Sequence, residues 1–434
     1  MAEAAARDDP AASRSAASAR WIVSLFGTCV VIQRLSLPGG TVPMLLPVIL
    51  GWCAYGLLRG LLEFDRRRTV LYLLAAALTA GVALLQQLFV LDPLVSVTSW
   101  GLFMAVWASA ALRLRERGRE VVRRAFEGCV RVGRVLAAVC LVMLGSQYLG
   151  LGYVDYVATL VPRTMLVQGY VITYPIQWDS PIYRANAWIG LEPSIVSLQL
   201  GVCLVLAVLV RARVSTLMLL IAGMVTTASG SGIYVAGVAG VVMLATPIRR
   251  QLLRYPVATT LTVLTLMLTS VGQVILSRVR EFAIANSSTS LRAVEPYVFL
   301  WPHWVAEAAT VLLGRGAGSS QALIAATNRP GLLVASPIKV FFDYGVIAGG
   351  ALALFLVYCY FGAPSLALAL GLFASSWTLQ PGTTTVALVV PTLLFVTWLA
   401  PRPGRYLEFE PFLRRRAPEG ATRPPLREVE AVSA

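Results

Sequence analysis

The sequence predicts an all-α polytopic membrane protein of about twelve transmembrane helices, and three observations lead there. Charged residues make up only 13% of the chain and hydrophobic residues 57%, with a mean hydropathy of +0.74; a soluble domain carries about 25% charge. Several apolar runs reach the ~20 residues that cross a bilayer core. The connecting segments alternate in charge, as they do when successive loops lie on opposite faces of a membrane.

In chain order the apolar runs fall at about 20–36, 41–58, 69–90, 93–112, 129–149, 193–210, 214–228, 231–247, 256–276, 337–359, 363–379 and 384–400. Residues 1–19, rich in Ala and Ser with Arg7 and Arg14, and with Arg20 next to them, read as a disordered tail leading into a retained first helix. A cleaved signal would need a small-residue site after the first run, and Arg34 interrupts that run's end. Arg34 lies near a helix end, can snorkel, and is assigned no role. Residues 401–434, rich in Pro and Arg, read as a second disordered tail. The domain between them, 20–400, shows no internal repeat and no paired broken helices, against an inverted-repeat transporter.

The net charge of +15 suggests nucleic acid until it is placed along the chain. About three quarters of the 36 basic residues fall on one side, including Arg66-Arg67-Arg68, the run RLRERGREVVRR at 113–124 and Arg414-Arg415-Arg416. Positive loops stay in the cytoplasm, so both termini are placed inside and nucleic acid is not a partner. All six cysteines fall in or beside the apolar runs with no metal spacing, and read as small packing residues.

Two outer segments are long, about 150–192 and 277–336. The first holds Tyr153, Tyr156, Tyr170, Tyr174, Trp178, Tyr183 and Trp188 with Asp155, Asp179 and Arg184. These rings suit an interfacial aromatic belt, a sugar-stacking surface, or both. The second holds Arg278, Arg280, Glu281, Arg292, Glu295, the single histidine His303, Glu307, Arg315 and Arg329. Its stretch YVFLWPHWVAEAATVLLG (297–314) reads as an interfacial amphipathic helix with Trp301 and Trp304 toward lipid.

Helices descending from outside begin near Pro193, Ser231, Pro337 and Thr384, so their positive ends face the outer leaflet. With the neighbouring arginines, that field suits an anion, and guanidinium forks match phosphate oxygens. A lipid-linked phosphate or pyrophosphate is the expected ligand. Lys339 and Asp343, four apart, are expected to pair on one helix face; Asp343 as a buried catalytic carboxylate is the sharper alternative.

The segments YRANAWIGLEPS (183–194), TTASGSG (226–232), SLRAVEPYVFLWPHW (290–304), GRGAGSS (314–320) and FFDYGVIAGG (341–350), in this order, resemble the O-antigen ligase and Wzy-type polysaccharide polymerase superfamily of bacterial inner membranes. The resemblance spans about 20–400. It implies a GT-C-like membrane glycosyltransferase, free of metal and other cofactors, that takes glycan from undecaprenyl pyrophosphate on the periplasmic face. Membrane lipids are further partners, and the resemblance leaves room for a chain-length regulator and export proteins. The family's pyrophosphate-binding arginines match Arg184 and Arg292, with Arg278 and Arg280 beside them in the second loop. Glu192 and His303 are the candidates for the group that takes the acceptor proton, and Glu192 could instead orient Arg184. The ligase branch carries a histidine where this chain reads Ala335-Ser336-Pro337, and many relatives carry an arginine in the turn that reads SGSG here. Both departures favour a polymerase over a ligase and leave the general base unassigned. A transporter or flippase of the same lipid-linked glycans is the competing class; it predicts charges deep in the spans.

Overall fold

The computed structural model describes residues 10–90, 93–176, 180–252, 255, 268, 290–327, 332–379, 381, 385–399 and 406. The expected span at 256–276 apart from Leu268, the residues Trp178, Asp179, Arg278, Arg280, Glu281 and Arg329, and nearly all of the C-terminal tail lie outside them. What is described is mostly helix. Four helices are long and apolar enough to cross a membrane: α1 (Pro10–Ile32, apolar from Ser13), α3 (Arg66–Phe89), α5 (Arg119–Tyr148) and the long helix Ser336–Tyr360. Seven shorter apolar helical stretches stand at Leu45–Leu58, Val97–Ala111, Pro193–Leu209, Val214–Thr226, Gly230–Leu244, Leu366–Thr378 and Val386–Trp398. These eleven match eleven of the twelve expected runs, with starts at Pro193, Gly230, Ser336 and Val386 close to those anticipated.

We number α2 (Leu45–Leu58), α4 (Val97–Ala108), α6 (Tyr156–Leu160), α7 (Pro193–Leu209), α8 (Val214–Thr226), α9 (Gly230–Leu244), α10 (Arg249–Leu252), α11 (Ser290–Ala293), α12 (Glu295–Val305), α13 (Ala308–Leu313), α14 (Ser319–Ala326), α15 (Ser336–Tyr360), α16 (Leu366–Ala374) and α17 (Val386–Thr392). Helix α7 is the hub. It is apolar all round and buried along nearly its whole length, as a helix walled by neighbours must be. It packs against α5, α8 and α9, while α1 lies on α5 and α3 on α15. At the α7–α9 crossing, a Cβ on Gly201 would strike Gly232, and one on Gly232 would strike the Ser197 carbonyl. Glycine lets the two backbones touch. Ser197 Oγ then donates to Ser229 O at 3.0 Å and accepts from Gly232 N at 3.1 Å, pinning the SGSG turn that opens α9.

The fold departs from expectation in several places. The all-α reading misses a two-stranded antiparallel ribbon, β1 (Leu62–Phe64) with β2 (Leu112–Leu114), whose Glu63 and Asp65 meet Arg113 at 2.8 and 3.0 Å. Alternation too short to register as strands is stabilised here by cross-strand charge. The basic run 113–124 is not wholly loop: its second half belongs to α5, where Arg123 and Arg124 pair with Glu120 and Glu127 at helical spacing. Helix α1 starts at Pro10, inside the expected tail. All six cysteines are buried and unbridged.

The amphipathic stretch 297–314 is two helices, α12 and α13, broken at Ala306-Glu307. Trp301 is exposed as expected, but Trp304 is buried and stacks on Phe341 of α15 at 5.9 Å. With Leu300, Ile324, Val334, Ile338 and Phe342 it forms a second small core, so α12 caps the N-terminal end of α15.

Candidate functional site

Residues 174–176 pair antiparallel with residues 182–184. Ile176 N donates to Ile182 O, Arg184 N donates to Tyr174 O at 2.8 Å, and Pro175 bridges Tyr183. Gln147, at the end of α5, holds the second of these segments like an extra strand: its Oε1 accepts from Tyr183 N and its Nε2 donates to Tyr183 O. Arg184 therefore has a fixed base. Its Nε donates to Pro175 O at 3.1 Å and its guanidinium lies over the Tyr174 ring at 5.6 Å.

The next residues make a strained turn. Ala187 and Trp188 have φ of 56° and 58°, a region that favours glycine. Buried Asn186 holds it: Oδ1 accepts from Trp188 N, Nδ2 donates to Ile172 O, and its carbonyl accepts from Gly190 N. The turn aims Trp188 O at Arg34, which donates to it at 2.9 Å. Arg34 also grips Asp155 through two contacts of 2.7 Å and is only 2% exposed. The snorkelling expectation for Arg34 is corrected: it is an enclosed clamp between the first helix and the first loop. Burial alone would raise the Asp155 carboxyl, but the Arg34 fork and the Ala158 N–H outweigh it and hold it below the usual carboxylate range. Four of the loop's rings pack on one another, Tyr153 on Tyr183 and Tyr156 on Trp188.

Glu192 then takes the N-cap position of α7, with Pro193 as first helical residue. Its Oε2 accepts from Ser194 Oγ at 2.8 Å. Its ionic partner is not Arg184, as sequence proximity suggested, but Arg292 from the second loop, whose Nη2 stands 3.6 Å from the same oxygen. The contact is ionic and longer than a good hydrogen bond. Arg292 is 18% exposed and has no other partner among the described residues, which leaves its donor fork available beside the positive end of α7.

Tyr170 adjoins this pair and feels both its charges. Burial pushes its phenol up, and its hydroxyl meets Thr385 Oγ1 at 3.3 Å. Tyr170 and Leu191 also line a cavity of about 270 Å3 that runs between α1, α2, α4, α15 and α17. Tyr170 is one of the rings that the sequence assigns to an aromatic belt or sugar-stacking surface, whereas the cavity's buried Gln33 is given no role there.

His303 lies on α12. Its Nδ1 is 2.9 Å from Phe299 O, an acceptor, so Nδ1 carries the proton and Nε2 is left as the acceptor nitrogen in the neutral ring. Its own carbonyl takes the Arg315 Nε–H at 3.1 Å. Lys339 and Asp343 pair at 2.8 Å as expected, nearly fully buried. Asp343 also accepts from Gly318 N, Ser319 Oγ and Ser320 N. With its lone pairs so engaged, it caps α14 and is poorly placed to act as a base. Among the described residues no cluster of three His, Cys, Asp or Glu side chains could hold a metal ion.

No protein-family model matches the chain, and a search of curated proteins gave no match.

Proposed function

We propose that the protein is a membrane glycosyltransferase joining undecaprenyl-pyrophosphate-linked oligosaccharide units into a surface polysaccharide or exopolysaccharide on the periplasmic face. The eleven described apolar helices and the run at 256–276 would then be spans, with both termini in the cytoplasm. One observation carries the reading: Arg292 and Glu192, brought from two long loops, sit at the N-terminus of α7 with most of the Arg292 fork unpartnered among the described residues.

In the proposed reaction an acceptor hydroxyl attacks the anomeric carbon. The new C–O bond forms as the bond from that carbon to the phosphate oxygen breaks, and the pyrophosphate leaves with the bonding pair. Arg292, 18% exposed, stabilises the charge growing on the leaving group. Arg184, braced on Tyr174, supplies a second cation from the first loop; Arg278 and Arg280 are the further candidates. The acceptor's proton passes to His303 Nε2 or to Glu192. The ion pair favours Glu192 as the group that positions Arg292.

The test is reconstitution of the purified protein in proteoliposomes with a lipid-linked oligosaccharide. A polymerase produces a ladder of longer lipid-linked chains. A ligase produces none until a lipid A-core acceptor is added, and a transporter moves the lipid across the bilayer without lengthening it. Absence of any ladder, with or without core acceptor, overturns the reading.

A further inference from the structure

Helix α5 is longer than a bilayer needs. Its 30 residues, Arg119–Tyr148, reach about 45 Å at ~1.5 Å per residue, against a hydrocarbon core of about 30 Å. The charged first third, with Arg119, Glu120, Arg123, Arg124 and Glu127, is the part that stands outside that core. The ~20 residues ending at Tyr148 fill it, and exposed Tyr148 suits the far interface. Arg131 and Arg134 then fall inside the core, within its first two turns.

Both arginines lie on the stripe that α5 turns away from the protein. Arg131, Arg134, Val135, Ala138 and Val142 are all exposed and recur at three- and four-residue steps, while Gly133, Ala137, Cys140 and Met143 are buried. These cations therefore face acyl chains and not a neighbouring helix. Neither has a hydrogen bond or an ion pair among the described residues. Glu127, one turn below Arg131, is held by Arg123 at 2.7 Å instead. An unpaired charge in hydrocarbon is costly, and a long side chain escapes the cost by snorkelling to the headgroups.

A third arginine stands where they arrive. Gly133 packs on Leu220 and Ala137 on Gly223, so α8 runs parallel to α5 at the same height. Arg213, seven residues before Leu220, is thus level with Phe126 at the edge of the core. It too is exposed and unpaired among the described residues. Three cations meet one boundary beside an apolar stripe that continues up to Val142. The ligand that satisfies both parts has an anion at the boundary and a chain along Val135, Ala138 and Val142. A soluble anion leaves the stripe bare, whereas a phospholipid covers it. The surplus of positive charge selects a net-anionic headgroup over a zwitterionic one, whose ammonium these arginines repel.

We propose that α5 and α8 form a site for the phosphate of a net-anionic phospholipid, held by Arg131, Arg134 and Arg213 in the leaflet at the Arg119 end of α5. The site is independent of the glycosyltransferase reading and rests on α5 and α8 being membrane spans.

The experiment is native mass spectrometry of the full-length protein in detergent, titrated with dioleoyl phosphatidylglycerol or dioleoyl phosphatidylcholine, which carry the same chains on different headgroups. One phosphatidylglycerol is expected to bind several-fold more tightly than phosphatidylcholine. Arg131→Gln and Arg134→Gln should each weaken it about five-fold, the scale of one basic residue at an anionic surface. The two substitutions together should bring the two lipids level. Arg66→Gln with Arg67→Gln, which removes two exposed cations at the start of α3, should leave the preference unchanged. Equal binding of the two lipids to wild type overturns the site, and so does an unchanged preference in the Arg131/Arg134 variant. An equal loss in the Arg66/Arg67 variant also overturns it, because the charge would then act as a diffuse field. Glycerol phosphate, which lacks the chains, should not displace the lipid; displacement would assign the arginines to a soluble anion. A mass of two copies that the Arg131/Arg134 variant abolishes, without any lipid preference, would give the stripe to a second protein chain. Should the double variant fail to fold, the two single variants read against wild type decide the question in the same way.

Discussion

Glu192 and Arg292 meet at 3.6 Å over the first turn of α7, brought together from two segments about a hundred residues apart in the chain. The pair is ionic without being locked, because the distance exceeds a strong charge-assisted hydrogen bond at about 2.7–2.9 Å. A phosphate oxygen can therefore take over the guanidinium without the breaking of a fork-to-fork contact.

Removing the cation should be costlier than removing its partner. Arg292→Ala is expected to lower the chain-extension rate in proteoliposomes by about 10²–10³-fold, the scale for losing one donor aimed at developing charge. Arg292→Lys should recover only part of that loss, since an ammonium lacks the planar fork. Glu192→Gln keeps the shape and should cost about ten-fold, as a misplaced positioning group does. Equal rates in wild type and Arg292→Ala would remove Arg292 from the site.

The clamp between Arg34 and Asp155 predicts an acid-sensitive stability. Asp155 is held below its ordinary carboxyl range in the folded protein. Its contribution is therefore complete above the unfolded value, about 3.9, and is lost as pH falls through the lower folded value. Asp155→Asn should lower the melting temperature at neutral pH, consistent with about 3–5 kcal/mol for breaking a buried pair and leaving one charge behind. The same variant should show a smaller further loss between pH 5 and about 3 than wild type, read by fluorescence-detected melting.

At the α7–α9 crossing, Gly232→Ala is expected to destabilise by about 1–3 kcal/mol, the usual scale for overpacking. The added methyl group meets the Ser197 carbonyl. Size-exclusion profiles after graded heating measure it; a profile matching wild type would mean the crossing can relax.

The Lys339–Asp343 pair allows a double-mutant cycle. Asp343→Asn alone should destabilise strongly, because it leaves a buried ammonium and weakens the hold on α14. Lys339→Met with Asp343→Leu should recover part of the loss, since hydrophobic replacement of a whole buried pair is often tolerated. Additive losses would show the two side chains to be independent.

Much of the fold was legible in the sequence, since each apolar run maps to one helix wherever the structure describes it. Pro193 and Pro337 gave helix starts to within a residue because proline is favoured at the first helical positions. The site was legible in part. Arg292 and Glu192 stood out as charges in an apolar chain, but their pairing was not readable, because spacing along the chain measures neighbours on one helix and not loops brought together. Arg184, eight residues from Glu192, looked the better partner for that reason. Asp343 was read through its i,i+4 lysine, while its hold on α14 depends on a turn at 314–320 that packs against α15. Gln33 was missed because an uncharged side chain in an apolar run gives no signal.

The Arg34–Asp155 clamp also bears on how the protein is made. Its two halves are 121 residues apart in the chain. At ribosomal speeds of about 5–20 residues per second, the guanidinium is synthesised roughly ten seconds before its carboxylate. During that interval the first helix carries a cation with no counter-charge in place, and the final seat of α1 on α5 must wait for the loop beyond α5 to emerge. The amino-terminal third of the molecule thus matures late, and its completion is timed by a residue it does not contain.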